Sequence, residues 1–131
     1  MAVVLCLPRT MPMGTFHVKF TARNPTDPGR SLPLEGLVDT GAHFSQIPLV
    51  LLEQIGIAPF ETRQVQYATG VVETKPVASA EILLGDRRTP AVILCGSPTD
   101  LILIGATTLE NLNLGVDPLR KTLVTLIPPQ A

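Results

Sequence analysis

The chain has no tryptophan and one tyrosine, and with four phenylalanines its aromatic content is only 4% of 131 residues. That leaves little to stack on bases, and no basic run is interleaved with aromatics, so nucleic-acid binding is not expected. A net charge of −1 supplies no footprint for a polyanion. Charged residues make up 16%, low for a chain that stays alone in solution, which points to apolar surface covered by a partner. Cys6 and Cys95 form no C-x-x-C and no disulfide framework, so a reducing, cytoplasmic setting is expected. No apolar run approaches a membrane span, and the short run at the start has no basic segment before it. His17 and His43 lie far apart with no cysteine or carboxylate at ligand spacing, so neither a metal nor another cofactor is expected.

Proline and glycine, by contrast, are plentiful. Thirteen prolines and ten glycines punctuate short apolar runs, a pattern of many short strands in one domain with a modest core. "TFHVKFTAR" alternates, with Phe16, Val18 and Phe20 on one face and His17, Lys19 and Thr21 on the other. "NPTDPGRS" is a loop leading to a strand over 32–38. "RQVQYATGVVETKPVASAEILL" reads as two strands joined at Thr69-Gly70, with Pro76 keeping the second from full pairing. "LLGDRRTPAVILC" turns near Gly85-Asp86, and "LGVDPLRKTLVTLI" turns around 117–120. Arg87-Arg88 and Arg120-Lys121 fall at turns and read as solvated, and Cys95 reads as core. Two short helices are expected. Pro48 suits the first turn of one, which Gly56 ends. The other carries a capping box over 107–110 and stops near Gly115. Residues 1–13 fit no element and are expected to form a loose arm before a domain over 14–131.

The stretch "GLVDTGAHFSQIP" places Asp39 after an apolar strand and before a glycine. An Asp-Thr-Gly triplet alone reads as an ordinary turn. Leu37 and Val38, however, carry the strand inward, so Asp39 is expected as a buried carboxylate, costly unless protonation or hydrogen bonding compensates. Gly41 lets a backbone N–H reach that carboxylate. "LVDTGA" at 37–42 has a weak echo, "LILIGA" at 101–106, where Leu103 aligns with Asp39. Ser45 has no evident histidine partner for nucleophilic catalysis.

These residues resemble the active-site loop of the retropepsin-like (retroviral-type) aspartic proteases: Leu37, Val38, Asp39, Thr40, Gly41 and Ala42, then Ser45. The family's second landmark, an apolar pair and a glycine before a helix, is matched by Leu103, Ile104 and Gly105. "VQYATGVVE" lies where the family places a flap hairpin. By landmark order the resemblance spans about 14–127, and it is greatest to the short bacterial members, which begin near "MGTF" and end in a "VDP" hairpin. It implies a mostly β fold: a closed retropepsin-like acid-protease barrel with one or two short helices, one domain per subunit.

The resemblance also implies a homodimeric aspartic endopeptidase. Its chemistry needs two carboxylates sharing one proton, and Asp27, Asp86, Asp100 and Asp117 lack a following Thr-Gly, so a second Asp39 must come from another copy. Asp39 is then the catalytic acid-base group, Thr40 bonds across the two-fold axis, and Gly41 and Ala42 complete the loop. Tyr67, Ala68, Thr69, Gly70 and Val71 form the flap tip, with Tyr67 reading equally as substrate-facing or as packed on a neighbour. Peptide substrates with apolar residues at the cut are implied. The alternative is a non-catalytic dimerisation or peptide-binding module on the same fold. Retroviral members follow Gly-Ala with an aspartate that pairs an arginine after the second glycine; here those positions are His43 and Ala106. Two-domain pepsin-like enzymes commonly carry Ser or Thr at the Ala42 position. Without that hydroxyl on the ionised pair, the pH–rate profile is expected to peak above about 3; a maximum below that value contradicts this role for Ala42.

Overall fold

Alternation from Phe16 onward builds the first strand of the computed structural model, which describes residues 15–130. The arm expected over 1–13, with Cys6, lies outside the described residues. Strand β1 (His17–Arg23) buries Phe20 and Ala22 and exposes His17 and Lys19. It pairs antiparallel with β2 (Ser31–Val38), Phe20 opposite Leu34. The turn-rich loop between them is organised by Asn24. Its Oδ1 accepts from the Thr26 and Asp27 N–H groups, and its Nδ2 donates to the Ile55 carbonyl.

Strand β3 (Ser45–Pro48) runs directly into helix α1 (Leu49–Gln54). Pro48 sits at the N-cap, one position before the first turn expected for it, and Gly56 closes the segment with φ +76°. Strands β4 (Glu61–Gln66) and β5 (Val72–Leu84) form a long hairpin. A Gly-Asp turn then leads to β6 (Arg87–Gly96). Pro76 stands opposite Thr62 of β4, while the β6 ladder begins only at Val77. The proline therefore lies where the strand is paired on one edge, as its missing donor requires. Strand β7 (Leu103–Ile104) and helix α2 (Ala106–Asn111) follow, and a separate hairpin, β8 (Leu114–Asp117) with β9 (Thr122–Thr125), ends the fold.

The large sheet runs β1-β2-β7-β3-β6-β5-β4, and β1 pairs additionally with β5. The result is a mostly β fold with two short helices. Ile47, Ile82, Ile93 and Ile104 meet in its centre with Phe20 and Leu52. Their branched side chains suit a pleated, buried surface. Cys95 is buried there too, as expected. No helix among the described residues is long and apolar enough to cross a membrane.

Two expectations change. Arg87 is not simply solvated: its guanidinium donates to the Leu112 and Asn113 carbonyls at 2.7 and 3.0 Å and to Thr125 Oγ1 at 3.1 Å. It fastens the turn before β6 to the residues just past α2 and to the last hairpin, sharing the Asn113 carbonyl with the Leu126 N–H. The second helix is also not started by a capping box. Gly105 is its N-cap, with no side-chain cap hydrogen bond. The freed amides of Ala106 and Thr107 instead donate to the Ala42 and His43 carbonyls at 2.7 and 3.3 Å. The helix ends at Asn111, earlier than Gly115, and Asn113 takes φ 58° just beyond.

That capping requires an unusually close approach. A Cβ on Gly105 would lie 2.6 Å from the Phe44 carbonyl carbon and oxygen and 2.8 Å from the Ala42 oxygen. Backbone, not a flexible side chain, fills the space. Gly105→Ala is therefore expected to destabilise the fold by about 2–3 kcal/mol, read as a lower urea midpoint. Gly29→Ala, whose Cβ would come no closer than 3.8 Å to Asp27 Oδ1, should stay within about 0.5 kcal/mol.

Candidate active site

Strand β2 delivers Asp39. Val38 is its last buried residue, and its N–H donates to the Phe16 carbonyl. Leu37 and Val38 lie parallel to Leu103 and Ile104 of β7. The two segments that echo each other in sequence are thus neighbours in space, in a register shifted by two from their alignment. The Asp39 N–H donates to the Ile104 carbonyl at 2.9 Å, and the Asp39 carbonyl accepts from Ala42 N at 3.1 Å. The side-chain Oδ1 accepts the Gly41 N–H at 3.0 Å. That bond, from the glycine after Thr40, orients the carboxylate toward its own turn.

The carboxylate is not sealed in a single chain as the sequence suggests. Asp39 is half-buried, with Thr40, Gly41 and His43 exposed around it. The strand ends at Val38, and the loop beyond it is exposed at Thr40 and Gly41.

At the positions where the retroviral pattern has an ion pair, this chain has His43 and Ala106. His43 Nδ1 lies 3.4 Å from Thr107 Oγ1, and the His43 ring meets Phe44 edge-on at 4.6 Å. Ala106 contributes its backbone, donating to Ala42. Deeper in, Ser45 Oγ accepts the Gly105 N–H at 2.9 Å and shares a 2.7 Å hydrogen bond with Thr108 Oγ1. In the sequence Thr108 falls inside the expected capping box, and no motif marks it as functional. Its position facing Ser45 follows from how α2 lies on β3, which no spacing in the chain announces. The described residues hold no group of three His, Cys, Asp or Glu side chains placed to bind a metal.

The structure brings Asp39 to Ala42 together with Leu103 to Gly105. The residues expected at a flap tip stand apart, at the end of the β4–β5 hairpin. Tyr67 N donates to the Val71 carbonyl and Gly70 N to the Tyr67 carbonyl, with Gly70 at φ +88°. Every residue from 66 to 74 is exposed, so both faces of the hairpin end project clear of the core. At its base, Lys75 Nζ lies 3.5 Å from Asp100. Asp100 Oδ2 also accepts the Ser97 N–H at 2.8 Å. That backbone bond, with Lys75 beside it, holds the Asp100 carboxyl below its ordinary value. Burial pulls the Lys75 ammonium down, but Tyr67, Asp100 and Glu73 outweigh it and leave it raised. Tyr67 is pushed up by burial, drawn back by Lys75 and raised further by Glu73. Its phenol thus belongs to the charged group at the hairpin base.

A family model described as "Aspartyl protease" matches residues 28–122, from the loop before β2 to the start of β9. The chain belongs to the aspartyl protease family. Among solved structures it is similar to the solution structure of the simian foamy virus (mac) protease, at 22% identity and a TM-score of 0.48, over 70% of this chain and 91% of that one. None of the curated proteins matches it.

The Lys75–Asp100 contact has a measurable consequence. Asp100→Asn keeps an acceptor for Ser97 N but loses the charge beside Lys75. The loss is expected to be up to about 1 kcal/mol at neutral pH. Because the folded Asp100 pKa lies below its unfolded value, this stabilisation is present above the unfolded value. It vanishes as pH falls through the folded one. Urea midpoints of the two proteins should converge across that acid window; a gap that persists below it would assign the effect to something other than charge.

Proposed function

We propose that the protein is a homodimeric aspartic endopeptidase whose two Asp39 carboxylates, one from each subunit, share a proton and activate a water against a peptide carbonyl. One observation carries this reading. Each chain presents a single half-exposed carboxylate at its Asp-Thr-Gly turn, while the segment paired beside it, Leu103 to Gly105, brings no acid. A second copy is the natural source of the missing group. Two carboxyls in contact cannot both ionise cheaply, so one keeps its proton. The ionised one takes a proton from water as the oxygen adds to the carbonyl carbon. The protonated one donates to the carbonyl oxygen. Collapse of the tetrahedral intermediate then breaks the C–N bond, and the amine leaves with a proton.

Other features support the reading. Thr40 is exposed beside Asp39, free to bond a partner's loop. Gly41 already holds the carboxylate by its N–H, Ala42 ties the loop to α2, and Leu103, Ile104 and Gly105 back it. The hairpin end at Tyr67, Ala68, Thr69, Gly70 and Val71 suits a flap that closes over an extended substrate and excludes water. Val71 and Val72, each 53% exposed, and Leu126 and Ile127 after β9 offer apolar surface for a second copy or a substrate's apolar side chains. The extra pairing of β1 with β5 supports a closed barrel, with residues 14–131 as one domain per subunit.

The test is peptide-library cleavage by the wild type and Asp39→Asn at several concentrations between about pH 3 and 7. Cleavage by the wild type alone, rising more steeply than linearly with enzyme concentration, is the expected result. Silence from both forms at concentrations where the protein is a dimer would instead favour a binding module.

A further inference from the structure

We infer that Ser45 and Thr108 are positioning residues for catalysis: a buried pair of hydroxyls that sets where the Asp39 carboxylate stands. This rests on the function proposed above. The two side chains are 1% and 2% exposed, yet the chemistry uses neither. Ser45 Oγ accepts the Gly105 N–H at 2.9 Å, and the Ser45 and Thr108 hydroxyls lie 2.7 Å apart. No solvent reaches them to replace a lost partner, so a missing hydroxyl leaves a buried polar group unpaired. Gly105 is the residue through which the loop is held. Its neighbour Ile104 accepts the Asp39 N–H at 2.9 Å, and its other neighbour Ala106 donates to Ala42 at 2.7 Å. Space at Gly105 is closed by the Phe44 and Ala42 backbone. A shift of residue 105 therefore moves both ends of the turn that carries the carboxylate.

Two carboxylates in contact split their titrations by an amount that depends on their separation. A loosened clasp should narrow that split and slow the chemical step without weakening substrate binding. A role limited to stability would do neither. His43, the other titratable side chain on this loop, is retained in all the variants compared.

The experiment measures kcat, KM and the pH–rate profile for the wild type, Thr108→Val, Thr108→Ser, Ser45→Ala and the double variant Ser45→Ala/Thr108→Val. Thr108→Val should lower kcat by about tenfold or more, with KM within about twofold and the two pH limbs drawn together. Thr108→Ser, which restores the hydroxyl, should recover most of that loss. The double variant should be little worse than the poorer single one, because the pair acts as a unit. Where Ser45→Ala fails to fold, the two Thr108 variants decide the matter alone. Variants that melt earlier but keep the wild-type kcat and pH limbs would overturn the inference while leaving the protease reading intact. A wild-type dimer without activity would overturn the protease reading itself.

Discussion

The site depends on one close approach: the backbone of residues 42–44 lying against Gly105 with no room for a side chain between them. From that contact follow the capping of α2 by the Ala42 and His43 carbonyls and the burial of the Gly105 N–H against Ser45. The same contact lets β2 and β7 run side by side, so that Asp39 hangs its N–H on Ile104. A backbone carbonyl is a poor cushion. It cannot rotate out of the way as a side chain can, and so the loop and the helix are fixed to each other as one rigid body.

The β4–β5 hairpin end is built on opposite terms. It is exposed from residue 66 to residue 74, and segments with few buried contacts open at the lowest free energy. Where that freedom ends, at Lys75, charges take over from packing. Lys75 joins the strand to Asp100, which is itself tied to the Ser97 amide. A fixed carboxylate loop and an exposed hairpin end are the two kinds of element that the proposed hydrolysis of an extended chain would use.

Much of this was legible in the sequence. Alternation at 16–21 marked β1, Gly85-Asp86 marked a two-residue turn, and the landmarks at 37–42 and 103–105 marked the loop and its support. Those signals are local, because strand alternation and turn chemistry act over a few residues. What the sequence misjudged involved partners distant along the chain. The capping box over 107–110 was a reasonable local reading, but carbonyls some sixty residues earlier satisfy those amides instead. Arg87, read as solvated, finds three acceptors on elements after it. Thr108 finds Ser45.

The sequence by itself determined the strand pattern, the single Asp-Thr-Gly, the family landmarks and the absence of a second acid, since each is a property of residue type and short spacing. Only the tertiary structure decided that Asp39 is half-open, that α2 is capped by the loop it supports, and that two buried hydroxyls meet at the Gly105 N–H. Those outcomes depend on which backbone groups lose water together when distant segments pack. A buried donor takes whatever acceptor the packing brings to it, and no spacing along the chain records which one that will be.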